Sequence, residues 1–207
     1  MTELQTASNV PGVFRHTRFT IRKKFWSFLG ATFYLLDDAD RQIGYCRQKA
    51  FKLREDIRVC TDESQTTELL VIKARSIIDF GATYDVMDPA APDVPLGSLR
   101  RKGMMSTFVR DEWMIFNQAG QEIGLIQENS TALALLRRFM GGVIQLIAPQ
   151  SYTMTLGGVP VADFVTNRWQ FFYKLFITVR PEVAAQVDPR VVVAGAVLIA
   201  AIEGVQK

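Results

Sequence analysis

The chain has 207 residues, 48% of them hydrophobic and 22% charged, which suits one large globular domain or two small ones. Its formal net charge of +3 lacks the strong basic bias of a dedicated nucleic-acid binder, so no nucleic-acid partner is expected. The opening stretch MTELQTASNVPG has no basic region followed by an apolar run. No secretory signal is therefore expected, and the expected address is cytoplasmic.

In chain order, residues 1–13 read as a flexible polar tail and residues 14–207 as a single domain. Residues 18–24 alternate, with Phe19 and Ile21 on one side and Arg18, Thr20, Arg22 and Lys24 on the other, which predicts a half-buried strand. Lys23 breaks the apolar side at its end. The runs 32–36 and 43–49 flank Asp37-Asp38-Ala39-Asp40, a hairpin signal, because Asp side chains bond nearby backbone N–H groups. Residues 57–61 alternate again, and 69–75 form a denser apolar run. Cys46 and Cys60 lie in strand-like runs with apolar neighbours, which predicts buried free thiols rather than a disulfide. The runs 83–87 and 96–101 flank the Pro- and Asp-rich stretch 88–93, which reads as a loop. Residues 113–117 face 123–127 across Gln118-Ala119-Gly120-Gln121. Residues 152–156 face 159–165 across Gly157-Gly158, a two-residue hairpin signal. Residues 171–179 form the most apolar strand, with Lys174 and Thr178 as its polar members.

Two helices complete the pattern. Asn129 and Ser130 can cap a short amphipathic helix at 131–140, with Ala132, Leu135, Leu136 and Phe139 as its apolar stripe and Gly141-Gly142 as its stop. Near the C-terminus, residues 191–202 read VVVAGAVLIAAI, with no polar side chain. This run is shorter than the about 20 residues that span a bilayer, so no transmembrane helix is expected. A helix apolar all round must be buried all round. Asp188 can cap it, and Pro189 suits its first position. A buried strand is the competing reading, because Val191, Val192, Val193, Val197 and Ile199 are β-branched; length and the cap favour helix.

The expected fold class is therefore all-β with a central helix: a closed antiparallel barrel of about twelve strands enclosing the hydrophobic C-terminal helix, plus one short amphipathic helix. Residues 33–48 and 113–128 match position for position, and 86–101 is a looser third copy. Internal pseudo-symmetry and the mere likeness of hairpins both account for the match.

Arg22-Lys23-Lys24-Phe25, the hairpin 33–44, the stretch 49–57 (KAFKLREDI), Leu99-Arg100-Arg101-Lys102-Gly103, Asp111-Glu112-Trp113, Ile123-Gly124 and the terminal helix ending Ile202-Glu203-Gly204 follow a familiar order. In that order the sequence resembles the tubby C-terminal-like superfamily, and within it bacterial members of the phospholipid scramblase and LURP-one-related branch. The resemblance implies a twelve-stranded barrel threaded by its C-terminal helix. It further implies a non-enzymatic binding or scaffold protein that engages anionic phospholipid head groups at the membrane surface, peripheral at the inner membrane face. The alternative it implies is a scramblase-like lipid-handling protein. The acidic calcium segment of eukaryotic scramblases has no counterpart: residues 180–187 carry Glu182 alone before Asp188, whereas calcium takes about 6–8 oxygen ligands.

No catalytic constellation is visible, and neither a cofactor nor a metal site is expected. His16 is the single histidine and sits beside the polar tail. No phosphate-binding glycine loop is present. Asp37, Asp38 and Asp40 lack the later glycine and distal glutamate of a calcium loop and read as a turn. Basic groups are the remaining candidates: Arg22, Lys24, Arg100, Arg101 and Lys102 are the expected ligand-binding residues, beside Lys49, Lys52 and Arg54, with Trp26 and Phe28 following the first cluster. Basic residues beside exposed aromatics favour an anionic lipid surface. The plainer reading is a solvated barrel rim.

Overall fold

The computed structural model describes residues 12–24, 31–48, 56–76, 82–102, 112–129, 150–167 and 173–203. The expected amphipathic helix at 131–140, Trp26 and Phe28, and the basic residues Lys49, Lys52 and Arg54 lie outside the described residues.

Twelve strands follow one another: β1 (Arg18–Lys23), β2 (Ala31–Leu36), β3 (Gln42–Gln48), β4 (Ile57–Cys60), β5 (Glu68–Ser76), β6 (Thr83–Asp88), β7 (Ala91–Arg101), β8 (Glu112–Asn117), β9 (Glu122–Glu128), β10 (Ser151–Leu156), β11 (Val159–Asn167) and β12 (Lys174–Val179). Each pairs antiparallel with its sequence neighbours, and β1 pairs with β12, so the sheet closes into a barrel. Closure leaves no free edge. The period-2 alternation sends Phe19, Ile21, Phe33, Leu35, Leu70, Ile72, Tyr84 and Val86 inward, where all are buried.

The lumen of a twelve-strand barrel is too wide for wall side chains alone. The helix α1 (Pro189–Glu203) fills it, and its side chains at 192–194 and 196–202 are all buried. Its start is built as the sequence predicts: Pro189 is the first residue, and the Arg190 N–H donates to Asp188 Oδ1 at 2.9 Å. The Arg190 guanidinium also donates to Asp188 at 2.8 Å and to Asp88, at the end of β6, at 2.7 Å, which fastens the helix start to the wall. Gly195 brings the helix backbone against β9 and β10, since a Cβ there would come within 2.7 Å of Ile126 Cδ1 and 3.3 Å of Met154 Cε. At the end where α1 enters, a 3-10 segment, Gly12–Arg15, buries Val13 and Phe14. Among the described residues, no helix is long and apolar enough to cross a membrane.

The stretch 88–93, expected as a loop, is mostly strand: the turn is Pro89-Ala90 and β7 begins at Ala91. The prolines register as slips in the ladder instead, with irregularities between Val86 and Met87 and between Met87 and Asp88. Proline has no N–H to donate, so Pro92 and Pro95 are accommodated at such irregular pairings.

The match between 33–48 and 113–128 extends into register. The hairpins β2–β3 and β8–β9 stand six places apart in the ring of twelve, on opposite walls. Leu35 pairs with Gly44 and Leu36 with Gln42; Ile115 pairs with Gly124 and Phe116 with Glu122, the same bulge. The turns repeat too. The Asp37 N–H donates to the Arg41 carbonyl as Asn117 does to Gln121, and Asp40 donates to Asp37 as Gly120 does to Asn117. Asp40 and Gly120 both take positive φ, 57° and 76°. The glycine at the bulge is needed on β9, where a Cβ at Gly124 would lie 2.0 Å from the Thr155 carbonyl oxygen. The preceding strands agree: Thr20, Ile21, Arg22 and Lys23 pair with Leu36, Leu35, Tyr34 and Phe33, as Ser98, Leu99, Arg100 and Arg101 pair with Phe116, Ile115, Met114 and Trp113. A half-turn about the barrel therefore relates these two parts of the wall. The third stretch does not join it, because Gly97 pairs with Val86, where the alignment would place it opposite Asp88.

Two outcomes test this fold. Ala196 is fully buried, and an unpaired buried carboxylate costs several kcal/mol against a total stability of about 5–15 kcal/mol. Ala196→Asp, or truncation after Asp188, is expected to abolish cooperative thermal unfolding followed by circular dichroism; a soluble truncation that melts cooperatively would show that the helix is not core. The second concerns the β2–β3 turn. The Arg41 N–H, helped by the Arg41 guanidinium and the Ala39 N–H against the effect of burial, holds the Asp37 carboxyl below its ordinary pKa. A lowered folded-state pKa stabilises above about pH 4 and the gain is lost as pH falls through the folded value. Asp37→Asn keeps the acceptor oxygen, as Asn117 does in the other turn, where its Oδ1 accepts the Gln121 N–H. The variant should melt within a few degrees of the parent at pH 7 and lose less stability below pH 4. Parallel acid limbs for the two proteins would contradict this.

Candidate anion-binding site

β1 and β7 run in the same direction, so Arg22-Lys23-Lys24 and Arg100-Arg101-Lys102 stand at the carboxyl ends of their strands on one rim. They are six strands apart by either route. With strands about 4.8 Å apart, twelve of them put the two groups on the order of 20 Å from each other. That exceeds the Debye length of about 8 Å at physiological ionic strength. The basic residues singled out in the sequence therefore fall into two groups on opposite walls rather than one patch.

Alternation divides each group again. Arg22 and Arg100 lie on the outer face. Lys23 and Arg101 fall on the inner side, in register with buried Phe33 and Trp113. Burial pushes the pKa of Tyr84 up, and the charge of Arg101 opposes the rise, which places that guanidinium near the buried phenol.

On the β1 wall, Arg22 is in register with Lys174 of β12 on one side and Tyr34 of β2 on the other. Cations directly opposite each other across a strand pair repel. Neither Arg22 nor Lys174 has a carboxylate partner among the described residues. The Arg22 guanidinium lies 5.9 Å and the Lys24 ammonium 5.8 Å from the Tyr34 ring centre. The Tyr34 hydroxyl donates to Glu63 at 2.5 Å, and Lys24 is 3.9 Å from the same carboxylate. Its hydrogen bond with Tyr34, then the charges of Tyr34 and Glu63, raise the pKa of Lys24, so this ammonium stays charged.

The β7 wall holds its cations differently. Arg100 lies over Phe116 at 4.5 Å, and Lys102 pairs with Glu112 at 3.3 Å. The half-turn puts Thr83 where the β1 wall has Lys174, since Thr83 faces Arg100 as Lys174 faces Arg22. It puts Glu112 where the β1 wall has Thr32, since Lys102 donates its N–H to Glu112 as Lys24 does to Thr32. Each wall pairs its strand-end lysine with a carboxylate, Lys24 with Glu63 and Lys102 with Glu112, and the walls differ in that a second cation, Lys174, faces Arg22 where Thr83 faces Arg100. Lys174 escapes sequence reasoning because it reads as a polar member of an apolar strand; only register sets it against Arg22.

The remaining candidates are settled by their surroundings. Asp37, Asp38 and Asp40 are at the β2–β3 turn, with Asp37 occupied by backbone N–H groups. Among the described residues, no group of three His, Cys, Asp or Glu side chains is placed to hold a metal ion. Cys46 and Cys60 are free and buried, and burial pushes the Cys46 thiol up to about 12.

Compared with known protein families, the sequence matches LURP-one-related over residues 42–200. The chain belongs to the LURP-one-related family. That family is part of the tubby-like superfamily, as the sequence resemblance implied. No curated protein and no solved structure matches the chain. The match to the LURP-one-related family starts with the first residue of β3 and ends inside α1, so it includes Lys174 and the β7 group, while Arg22, Lys24 and Tyr34 precede it.

The facing pair on this LURP-one-related domain has a measurable cost. Lys174→Thr installs the residue found at the equivalent place on the other wall. Removing a like-charge pair is worth about 0.2–1 kcal/mol, or about 0.4–4 °C in a domain of this size. The gain should shrink as salt screens the pair. A gain independent of salt would reflect strand propensity instead.

Proposed function

We propose that this LURP-one-related domain is a non-enzymatic binding module whose basic wall engages the anionic head groups of phospholipids at a membrane surface. The observation that supports the reading most is Arg22 set opposite Lys174 with Lys24 close by. Keeping cations together opposes folding, and a bound phosphate group offsets that repulsion. Arg22 offers phosphate oxygens a planar fork of donors, while the two lysines act as point charges. Each basic group near an anionic membrane contributes about 1 kcal/mol. Arg100 and Lys102, six strands away on the opposite wall, stand outside this contact.

LURP-one-related and tubby-like proteins are generally non-enzymatic. The two thiols suit that reading, since buried groups with raised pKa stay protonated at neutral pH and make poor nucleophiles. Binding without calcium is also favoured: Asp188 serves the helix start and Arg190.

Flotation with phosphatidylcholine vesicles, with and without phosphatidylglycerol, tests the reading. Binding is expected only to the anionic vesicles, strong at low salt and reduced tenfold or more near physiological ionic strength. Arg22→Glu combined with Lys174→Glu should lower affinity by about tenfold or more while moving the melting temperature little. Equal binding to neutral vesicles, or none to anionic vesicles at low salt, would remove it.

A further inference from the structure

The outer face of β11, β12, β1 and β2 resolves into rows that run across the strands. The basic row is Asn167, Lys174, Arg22 and Tyr34. Two residues along, about 7 Å away, the next row is Val165, Phe176, Thr20 and Leu36. The third is Asp163, Thr178 and Arg18, with Asp163 paired to Arg180 at 3.1 Å. In the middle row Phe176 is 40% and Val165 38% exposed, and they face each other across the ladder. Phe176 is the one large exposed aromatic among the described residues. An apolar pair is thus held between Lys174 and Arg22 on one side and Arg18 on the other.

The opposite wall shows that the barrel does not require this. There the half-turn equivalents of Val165, Phe176 and Thr20 are Lys73, Asp85 and Ser98. Asp85 stands in the place of Phe176 and is paired with Arg75. One wall has the ion pair of Asp85 and Arg75 at its centre; its counterpart is apolar there, with Lys174, Arg22 and Arg18 around it and Asp163 neutralised by Arg180. An exposed Phe beside a Val is unfavourable in water, and a surround of positive charge matches the interface of an anionic bilayer, where aromatic rings settle at head-group depth.

We propose that the β11–β12–β1 wall docks side-on to an anionic bilayer, with Phe176 and Val165 entering the head-group region while Lys174, Arg22 and Arg18 engage lipid phosphates. The proposal rests on the head-group reading above and adds to it an orientation and an inserted pair. It separates the domain from one that stands end-on, with the rim that carries both Arg22 and Arg100 toward the membrane.

The experiment places an environment-sensitive thiol probe on a Phe176→Cys variant and, separately, on Val159→Cys, an exposed residue at the other end of β11. Native Cys46 and Cys60 are buried, so the introduced thiol takes the label. With phosphatidylcholine–phosphatidylglycerol vesicles, the probe at 176 should shift to shorter wavelength and be quenched by brominated lipid, and the probe at 159 should do neither. Val165→Ser with Phe176→Ser should weaken binding about tenfold, equivalent to about 1.4 kcal/mol, with the melting temperature kept. Arg100→Glu should change binding less than twofold. Vesicle binding with an unchanged probe at 176, or an Arg100→Glu loss equal to that of Arg22→Glu with Lys174→Glu, overturns the side-on wall and leaves head-group binding standing. No binding of the parent protein to anionic vesicles at low salt removes both.

Discussion

A helix with no polar face has to be surrounded, and that requirement governs the rest of this structure. Residues 192–202 carry nothing that water could solvate, and all the side chains among them are buried. A sandwich of two sheets would cover two sides. A ring of strands covers every side, and twelve strands make a lumen wide enough for one helix. The small residues Ala194, Gly195, Ala196, Ala200 and Ala201 keep that helix thin, so the wall can use full-sized residues such as Tyr84, Tyr152, Phe33 and Phe164. Arg190 sets the depth, because its bonds to Asp188 and Asp88 fix the first turn against the end of β6.

Around this axis the wall is built to a near two-fold plan, and its chemistry departs from that plan. The buried pairs correspond well: Phe33 with Trp113, Leu35 with Ile115, Ile21 with Leu99. The outward positions correspond in place and differ in kind: Lys174 and Thr83, Phe176 and Asp85. Inner residues answer to the same helix on both sides and must fill the same kind of space. Outer residues answer only to what lies outside. The difference between two equivalent walls is therefore a more direct pointer to function than either wall alone. It converts an ordinary scatter of surface charge into a contrast between one face that carries Thr83 and Asp85 and one that carries Lys174 and Phe176 in their places.

Much of the fold was legible in the sequence, for reasons that are local. Asp188-Pro189 announces a helix start through hydrogen bonding and fixed φ, and both act as expected. Asp37 to Asp40, Gln118 to Gln121 and Gly157-Gly158 announce turns because only certain residues accept those dihedrals. The stretch 88–93 misled because prolines break ladders as well as mark loops, and here the ladder slips and continues. The site was less legible. Arg22 and Arg100 could be picked out as strand-end cations, but whether they are neighbours depends on how many strands separate them around a closed ring. Lys174 lies far from Arg22 in sequence and is adjacent in space only through the β1–β12 closure. Pairing across the seam of a barrel leaves no local trace, so one of the three cations of the basic cluster was hidden there.

That same seam has a consequence for how the protein comes into being. Arg18 pairs with Thr178, so the first strand waits for the last before the ring can shut. At about 5–20 residues per second the interval on the ribosome is on the order of ten seconds or more, and the filler of the lumen emerges later still. Topologies dominated by such distant pairings fold slowly. Until α1 arrives, inner faces from β1 to β12 have nothing to close upon, and two strand edges stay open to other chains. The nascent barrel is thus a long-lived client for whatever factors in its cell keep apolar surfaces apart.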